Sequence, residues 1–312
     1  MTSSDAVDSA TNVLDICQTV IAVVSIPINI IIILLSLTKI SKSVARTYAL
    51  NISVTMLVSI VYSISYITAA LIIQANDGDE RLIVPSAIQV FVTFFGNNVY
   101  YFQTTIAVLL AYFGCATPIF FQHLTDKNAI KYLFLLGYIL AIYNSITQTF
   151  EGLIEKQSYK SILSIIRGFL QLTTICTMVI FYILALRSII KLAKKQKNMV
   201  GLQKNRFKAL RSILIYCTPP NLFLVISFPE IFCFSLFQNI RTSDDIDMLC
   251  DHVKRVLFSF NYVRLLVTSV SALFAFHEYR SAVLAIFRNC LSFRKRKVTI
   301  VTVSQVTPMP DK

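Results

Sequence analysis

The stretch ICQTVIAVVSIPINIIIILLSLT, residues 16–38, decides the class of this protein. It places 23 uncharged residues between Asp15 and Lys39, and a transmembrane helix needs about 20 such residues. The composition agrees, because 55% of the 312 residues are hydrophobic and only 14% are charged, whereas soluble domains usually carry about 25% charged residues. These figures exclude a soluble globular protein and predict an integral membrane protein.

Further uncharged stretches predict further crossings of the membrane. Five gaps between charged residues have 30, 44, 19, 19 and 18 residues, and they run from Arg46 to Asp77, Arg81 to Asp126, Lys131 to Glu151, Arg167 to Arg187 and Arg211 to Glu230. A seventh stretch, Val256 to Ala275, is interrupted by Arg264. The longest gap is predicted to hold one long third span from about Pro85 to Gly114, because two crossings there would invert every later loop.

The distribution of charge in the loops sets the number of crossings and the orientation. Lys and Arg are enriched on the cytoplasmic side of membrane proteins. With seven crossings and an outer N-terminus, the inner segments contain 21 basic and three acidic residues, and the outer segments contain six basic and twelve acidic residues. Six crossings would leave the FRKRK run at 293–297 outside. The predicted fold is therefore an all-α, seven-helix membrane bundle.

The chain is predicted to form one membrane domain with short flanking segments. Residues 1–15 are the extracellular N-terminus, 16–275 the seven-transmembrane domain, 276–291 an amphipathic juxtamembrane helix and 292–312 a disordered cytoplasmic tail. The juxtamembrane helix is predicted because Tyr279, Val283, Ile286 and Phe287 share one side at helical spacing. Cys290 at its end is a candidate for lipidation, and an unmodified cysteine at the membrane surface is the alternative.

Several classes of function are disfavoured by the residues present. The seven cysteines show no CxxC pair and no metal-ligand spacing, so neither a disulfide scaffold nor a zinc site follows from the sequence. The spans contain no His pair, carboxylate cluster or nucleophile–base pair, so we expect no enzyme, metal site or cofactor. The net charge of +13 does not indicate nucleic acid, because the aromatic and basic residues are segregated along the chain.

Three ionisable side chains fall inside the predicted spans, where charge is costly and often marks a functional site. Arg167, Glu230 and Arg264 are predicted at depths of about 9, 10 and 12 Å, at 1.5 Å per residue. Glu230 can pair with either arginine, which would leave one cation for an anionic or strongly hydrogen-bond-accepting ligand. The alternative is a purely structural ion pair, with Arg167 extended toward the membrane surface.

Uncharged polar residues lie near the same level. The third span repeats Gln89, Thr93, Asn97, Tyr100 and Thr104 on one predicted inward face, and the seventh repeats Asn261, Arg264, Thr268 and Ser271. Such side chains also hydrogen-bond between helices without binding any ligand. The candidate ligand-binding residues are Gln89, Thr93, Asn97, Gln148, Arg167, Gln171, Glu230, Asn261 and Arg264.

The chain resembles a G-protein-coupled receptor, and more narrowly the nematode serpentine chemoreceptors, including their Srbc-like branch. The residues that carry the resemblance are Tyr112-Phe113-Gly114, TPIFFQ at 117–122, FHEYRSAVLAIFR at 276–288 and Val306-Thr307-Pro308. The resemblance implies a plasma-membrane chemosensory receptor that binds a small molecule in the outer half of the bundle. It also implies signalling to a heterotrimeric G protein.

A basic segment supplies the predicted G-protein contact. Residues 191–211 contain eight bases and no acid. The candidates are Lys191, Lys194, Lys195, Arg206, Lys208 and Arg211. The alternative is that these bases only fix the topology and contact anionic lipid.

The sequence departs from the rhodopsin-like pattern in ways that leave the activation mechanism unassigned. Tyr112-Phe113-Gly114 stands where an acid-Arg-Tyr triplet is expected, and the chain has no Trp. The prolines at 219, 220 and 229 make the sixth span the predicted moving part. A multi-span transporter or ligand-gated channel subunit is the alternative function, although the internal repeats with paired broken helices that are typical of transporters are not visible.

Overall fold

A computed structural model describes residues 3–41, 43–75, 83–126, 129–154, 157–194, 202–226, 228–229, 233, 250, 253, 263–264, 266–286 and 288. Within these ranges every regular element is a helix. The described helices are α1 (Ser3–Thr38), α2 (Val44–Ala75), α3 (Ile83–Ala116), α4 (Pro118–Asp126), α5 (Ala129–Leu153), α6 (Gln157–Lys194), α7 (Leu202–Ile226), α8 (Leu266–Ala275) and α9 (277–286).

Among the described residues, five helices are long and apolar enough to cross a membrane. The candidate spans are Thr19–Thr38, Val44–Tyr66, Ala87–Ala116, Ala129–Glu151 and Tyr159–Lys194. They coincide with the first five spans that the charge gaps predict, so the chain is an all-α, multi-pass membrane protein. α7 begins within the predicted basic inner segment 191–211 and continues into the sixth predicted span, and α8 lies within the seventh. Most of 227–265 lies outside the described residues.

Large apolar side chains cover the outward faces of these helices. Leu37 is 60% exposed, Phe169 is 70% exposed and Phe274 is 69% exposed. Hydrocarbon tolerates such side chains, and a helix satisfies its backbone hydrogen bonds internally where no water is available. The buried positions instead combine small residues, aromatic rings and hydrogen-bonded polar groups.

α3 is the central helix of the bundle and packs against α2, α5, α6 and α7. Its continuous helix from Ile83 to Ala116 confirms the prediction of one long third span in the 44-residue gap. Tyr100 and Thr104 are fully buried, which confirms that their face of α3 points inward. α4 follows after Thr117 as a separate short helix.

A glycine allows α3 to approach α7 closely. A Cβ atom added at Gly114 would lie 2.6 Å from Cδ1 of Leu210, well inside ordinary van der Waals contact. Small residues allow helix backbones in membranes to pack at short distance. Gly114 belongs to the Tyr112-Phe113-Gly114 triplet, so this triplet marks a tight helix–helix contact.

An aromatic cluster joins the N-terminal parts of α2 and α9 to the middle of α7. Tyr48 packs edge-on against Tyr216 at 5.3 Å between ring centroids, and Tyr216 lies 5.0 Å from Phe276. Phe276 in turn lies 5.7 Å from Tyr279. All four side chains are buried. Aromatic pairs at these distances add stabilisation beyond their buried area.

α9 is anchored to the end of α1. The hydroxyl of Tyr279 lies 2.6 Å from Oγ of Ser36, two residues before the first candidate span ends at Thr38. Tyr279 is 1% exposed, and burial raises the pKa of its phenol. Residues 277–286 and 288 are helical, whereas Cys290 and the predicted tail at 292–312 lie outside the described residues.

One disulfide joins Cys233 to Cys250, with Cα atoms 5.4 Å apart. The sequence analysis did not anticipate this bond, because the two residues are 17 positions apart and match no recognisable cysteine spacing. Cys115, Cys176 and Cys217 are free thiols. The pairing is decided by the proximity of two chain segments, which spacing alone does not reveal.

Candidate functional site

Arg264 is the most deeply buried charged side chain among the described residues, at 1% exposure. Its Nη2 donates a hydrogen bond of 2.6 Å to Oδ1 of Asn97 on α3. The guanidinium carbon lies 5.0 Å from the ring centroid of Tyr100 and 5.2 Å from that of Tyr101. Both distances allow cation–π attraction, which stabilises a desolvated cation. The prediction that Asn97 and Arg264 share one level is confirmed by this contact.

The guanidinium of Arg264 keeps hydrogen-bonding capacity. Its Nε and Nη1 are buried and have no hydrogen-bond partner in the described part of the chain. A buried charged donor without an acceptor costs several kcal/mol in an apolar interior. The arrangement therefore leaves Nε and Nη1 each able to donate to a further acceptor.

One hydrogen bond joins the segment around Arg264 to α1. Thr268 Oγ1 donates to the carbonyl of Arg264 at 2.7 Å, and Ser269 Oγ donates to Oδ1 of Asn29 at 3.1 Å. Nδ2 of Asn29 donates to the carbonyl of Ser25 at 2.8 Å. These four polar residues are all fully or nearly fully buried. They hold the segment that carries Arg264 against α1, so the position of its side chain is defined.

Gln89 and Thr93 lie further along α3, toward its N-terminus. Nε2 of Gln89 donates to Oγ of Ser63 at 3.0 Å and to Oγ1 of Thr93 at 3.3 Å. The first of these bonds joins α3 to α2, which is the interhelical alternative considered for such residues. Oε1 of Gln89 is buried and has no hydrogen-bond partner in the structure as described. Gln89 therefore joins α3 to α2 through its amide nitrogen, and its Oε1 has no donor among the described residues.

Arg167 has a different partner from the one predicted. Its Nε lies 3.0 Å from Oε2 of Glu151, and Nη2 donates to Oε1 at 3.4 Å. Arg167 is 7% exposed and Glu151 is 8% exposed, so the pair is buried between α5 and α6. The sequence analysis assigned Glu151 to an outer loop and offered Glu230 to Arg167, or an extended Arg167 without a partner. That expectation is corrected by the ion pair.

The remaining predicted ligand residues are not joined to Arg264 in the described structure. Gln148 and Gln171 are partly buried on α5 and α6. Glu230 and Asn261 lie outside the described residues. The structure therefore brings together Asn97 and Arg264, and separately Gln89 and Thr93.

A polar cluster between α3 and α5 escaped the sequence analysis. Nδ2 of Asn144 donates to Oδ1 of Asn98 at 2.7 Å, and Nδ2 of Asn98 donates to Oγ of Ser145 at 2.9 Å. Asn98 does not belong to the row of polar residues that repeats along α3, so the spacing of that row does not point to it. The available sequence signal was its position next to Asn97. Adjacent residues of a helix face different neighbouring helices, so a second asparagine there indicates a contact with another helix.

A hydroxyl cluster lies farther along α3, toward its C-terminus. Tyr48 and Thr104 are joined by a hydrogen bond of 2.7 Å between their hydroxyls, and the thiol of Cys217 lies 3.7 Å from the Tyr48 hydroxyl. All three side chains are buried. The cluster connects α2, α3 and α7 one turn of α3 beyond Tyr100. No pattern in the sequence predicts that Tyr48 takes part in such a cluster.

The predicted G-protein contacts are described only in part. Lys191 and Lys194 at the end of α6 and Arg211 on α7 are exposed. Arg206 and Lys208 lie on α7, with side chains outside the described set, and Lys195 lies outside the described residues.

No protein-family model and no curated protein matches the chain.

Proposed function

We propose that this protein is a chemosensory G-protein-coupled receptor with seven membrane-spanning helices, placed in the plasma membrane with its N-terminus outside. Its small-molecule ligand binds in the outer half of the bundle, beside Arg264. The single observation that carries the proposal is the buried guanidinium of Arg264, which is flanked by two tyrosine rings and keeps two nitrogens without an acceptor among the described residues. An ionisable group held in the membrane interior is most often functional.

The surroundings of Arg264 define the chemistry of the ligand. An anionic or strongly hydrogen-bond-accepting group would accept from Nε or Nη1, which have no acceptor among the described residues. The rings of Tyr100 and Tyr101 would contact an apolar body. Small-molecule sites commonly combine such apolar walls with a few fixed polar groups. Arg167 is not the spare cation, because Glu151 already neutralises it.

The cysteines support an outer N-terminus. Disulfides persist in oxidising compartments and are rare in the cytosol. The proposed topology puts the Cys233–Cys250 bond on the outer side and puts Cys115, near the C-terminal end of α3, on the cytoplasmic side as a free thiol. The two observations agree with the orientation that the loop charges favour.

The length of α6 supports a cytoplasmic docking surface. The candidate span Tyr159–Lys194 has 36 residues, which corresponds to about 54 Å of helix. The hydrocarbon core of a bilayer is about 30 Å thick. A helix of this length extends beyond the core unless it is strongly tilted, and its exposed Lys191 and Lys194 would then be available to a G protein. Ligand binding shifts the receptor only if the active arrangement binds the ligand better.

The test is a comparison of receptor variants that reach the cell surface, with a calcium or cyclic-nucleotide readout after ligand screening. Arg264→Ala should lower ligand potency at least tenfold, because the free donors are lost. Asn98→Ala is the matched control, since it removes buried hydrogen bonds on the neighbouring α3 position without contacting Arg264. It should lower surface expression and leave potency unchanged.

Glu230→Gln completes the test, because Glu230 is the acid that the sequence offers to Arg264. Unchanged ligand potency in both Arg264→Ala and Glu230→Gln receptors at the surface removes the binding role. An epitope or glycan-site experiment that locates the N-terminus in the cytosol would exclude the proposed topology.

A further inference from the structure

α9 lies at the edge of the membrane, and its position follows from two anchors. Tyr279 contacts Ser36 two residues before the first candidate span ends, and Phe276 is buried at 4% exposure where α8 gives way to α9. The helix therefore begins at the depth where an apolar span ends. Its exposed side chains are at the level of the lipid head groups, as in other amphipathic helices that lie on membranes.

A groove runs along the exposed face of α9. It encloses about 330 Å³ and is lined by His277, Arg280, Ser281, Leu284, Ala285 and Arg288. These residues are spaced by three or four positions, so they form one continuous face of the helix. All six are exposed. The hydroxyl of Ser281 is tied to the carbonyl of His277 at 2.5 Å, which leaves the two guanidinium groups as the main polar features.

The groove is positively charged, and none of the described acids forms an ion pair with its arginines. Arg167–Glu151 is the only ion pair that the described residues form, so neither Arg280 nor Arg288 is neutralised within them. Arg46, at the start of α2, is close enough to influence Tyr279 electrostatically. The sequence then adds FRKRK at 293–297. One acid, Glu278, lies on α9 and is exposed.

We propose that this groove binds the head group of a phospholipid that carries a phosphate monoester as well as the diester. Arginine binds phosphate oxygens in a bidentate manner, and two arginines match more charge than one diester supplies. Leu284 and Ile286 are 51% and 46% exposed and can contact the acyl chains. Basic residues on an amphipathic helix beside a span are typical of binding to anionic lipid in the cytoplasmic leaflet.

This lipid site is separate from the ligand site at Arg264. It depends on the position of α9 at the membrane surface, whereas its assignment to the cytoplasmic leaflet rests on the proposed orientation. Because artificial bilayers can present the lipid on both faces, the site is testable without any signalling readout.

The experiment uses the full chain in nanodiscs of phosphatidylcholine, with a minor fraction of phosphatidylinositol bisphosphate as the probe. Lipid bound to the protein is measured by native mass spectrometry. Arg280→Gln with Arg288→Gln should weaken binding of the probe at least tenfold, because the charge-assisted hydrogen bonds of both guanidinium groups to phosphate are lost. Arg280→Lys with Arg288→Lys should retain part of the affinity.

The matched control is Lys191→Gln with Lys194→Gln, which removes the same charge from two exposed residues at the end of α6. The control should bind the probe as the original chain does. An equal loss in the control would overturn the proposal in favour of unspecific charge attraction. Equal binding of phosphatidylserine at matched total charge would overturn the need for a phosphate monoester. Equally tight binding of soluble inositol trisphosphate would show that the groove binds the free head group, and it would overturn a phospholipid as the ligand.

Discussion

Asn97 is the residue that connects α3 to the buried cation, because its Oδ1 accepts the 2.6 Å hydrogen bond from Arg264. The two tyrosine rings beside the guanidinium provide attraction without neutralising its charge. Among the described residues, a neutral amide at this position therefore leaves the guanidinium without a counter-ion in an apolar interior. That combination favours an anionic ligand, and a single substitution of Asn97 by an acid would remove this preference.

Asn97→Asp should stabilise the protein and abolish its response to an anionic ligand. The new carboxylate would lie within hydrogen-bond distance of Nη2 and would compete with the ligand for the same charge. Thermal unfolding and ligand potency measure the two effects. Asn98→Asp is the control, because it puts a charge into the Asn144 and Ser145 cluster and should destabilise. A stabilised Asn97→Asp receptor with unchanged potency would contradict a ligand contact at Arg264.

The Glu151–Arg167 pair should behave as a buried ion pair. Glu151→Gln alone should lower the free energy of unfolding by about 3–5 kcal/mol, because it leaves Arg167 buried and without a counter-ion. Glu151→Leu with Arg167→Leu should cost much less, since no buried charge remains. A double-mutant cycle by thermal unfolding measures the coupling. Additive losses would indicate that the two side chains are solvated in the membrane-embedded protein.

At the scale of elements, α3 is the helix on which the molecule is organised. It carries the contacts to Arg264, the Asn98 cluster, Thr104 and the close approach at Gly114. Each of these polar side chains lies on the face of α3 that packs against its hydrogen-bond partner. A shift of α7 relative to α3 would therefore change the close contact between Gly114 and Leu210.

Gly114→Ala should destabilise the contact between α3 and α7. The added Cβ would lie 2.6 Å from Cδ1 of Leu210, so the helices must separate or the leucine must move, at a cost of about 1–3 kcal/mol. Leu210→Ala in the same chain should restore much of the thermal stability by making room. Ala substitution at exposed Thr173 on α6 is a control that should change little. Failure of Leu210→Ala to rescue would contradict the close contact.

Tyr279→Phe should loosen α9 from the bundle. It removes the hydroxyl that contacts Ser36, a contact worth about 1 kcal/mol, and it keeps the ring packed against Phe276. Amide hydrogen exchange over 277–286 should become faster, while exchange in α3 stays unchanged. Ser36→Ala should have a similar effect, and the two substitutions together should not add. Additive effects would mean that the hydroxyls do not act on each other.

At the scale of the whole molecule, the disulfide and the free thiols report the orientation of the bundle. Cys233 and Cys250 are bonded, and Cys115 is a buried free thiol at the C-terminal end of α3. A membrane-impermeant thiol reagent added to intact cells should label Cys233 and Cys250 only after reduction. Labelling of Cys233 and Cys250 that requires opened cells would place this bond in the cytosol and contradict the proposed topology.

The bond should also stabilise the bundle. Cys233→Ser with Cys250→Ser should cost about 2–4 kcal/mol, because a crosslink across 17 residues restricts the unfolded chain. Thermal unfolding with and without reductant measures this cost, and a chain with Cys176→Ser serves as the control. An unchanged midpoint on reduction would contradict a stabilising role.

Much of the architecture was predictable because the bilayer imposes a simple rule on the chain. The uncharged gaps predicted the five candidate spans found among the described residues, and the single long α3 followed from the need to keep the later loops on their predicted sides of the membrane. The inward face of α3 followed from the spacing of its polar residues. The partner of Arg167, the Asn98 cluster and the disulfide were not predictable, since each depends on which residues of distant segments meet.

The sequence by itself determined that this chain is a helical membrane protein, because charged groups are excluded from hydrocarbon and the distance between them measures the spans. Only the tertiary structure decided how the buried charges are used. It paired Arg167 with Glu151 across two helices and placed Arg264 between two tyrosines. Charge neutralisation acts over a few ångströms in three dimensions, and position along the chain does not fix those distances.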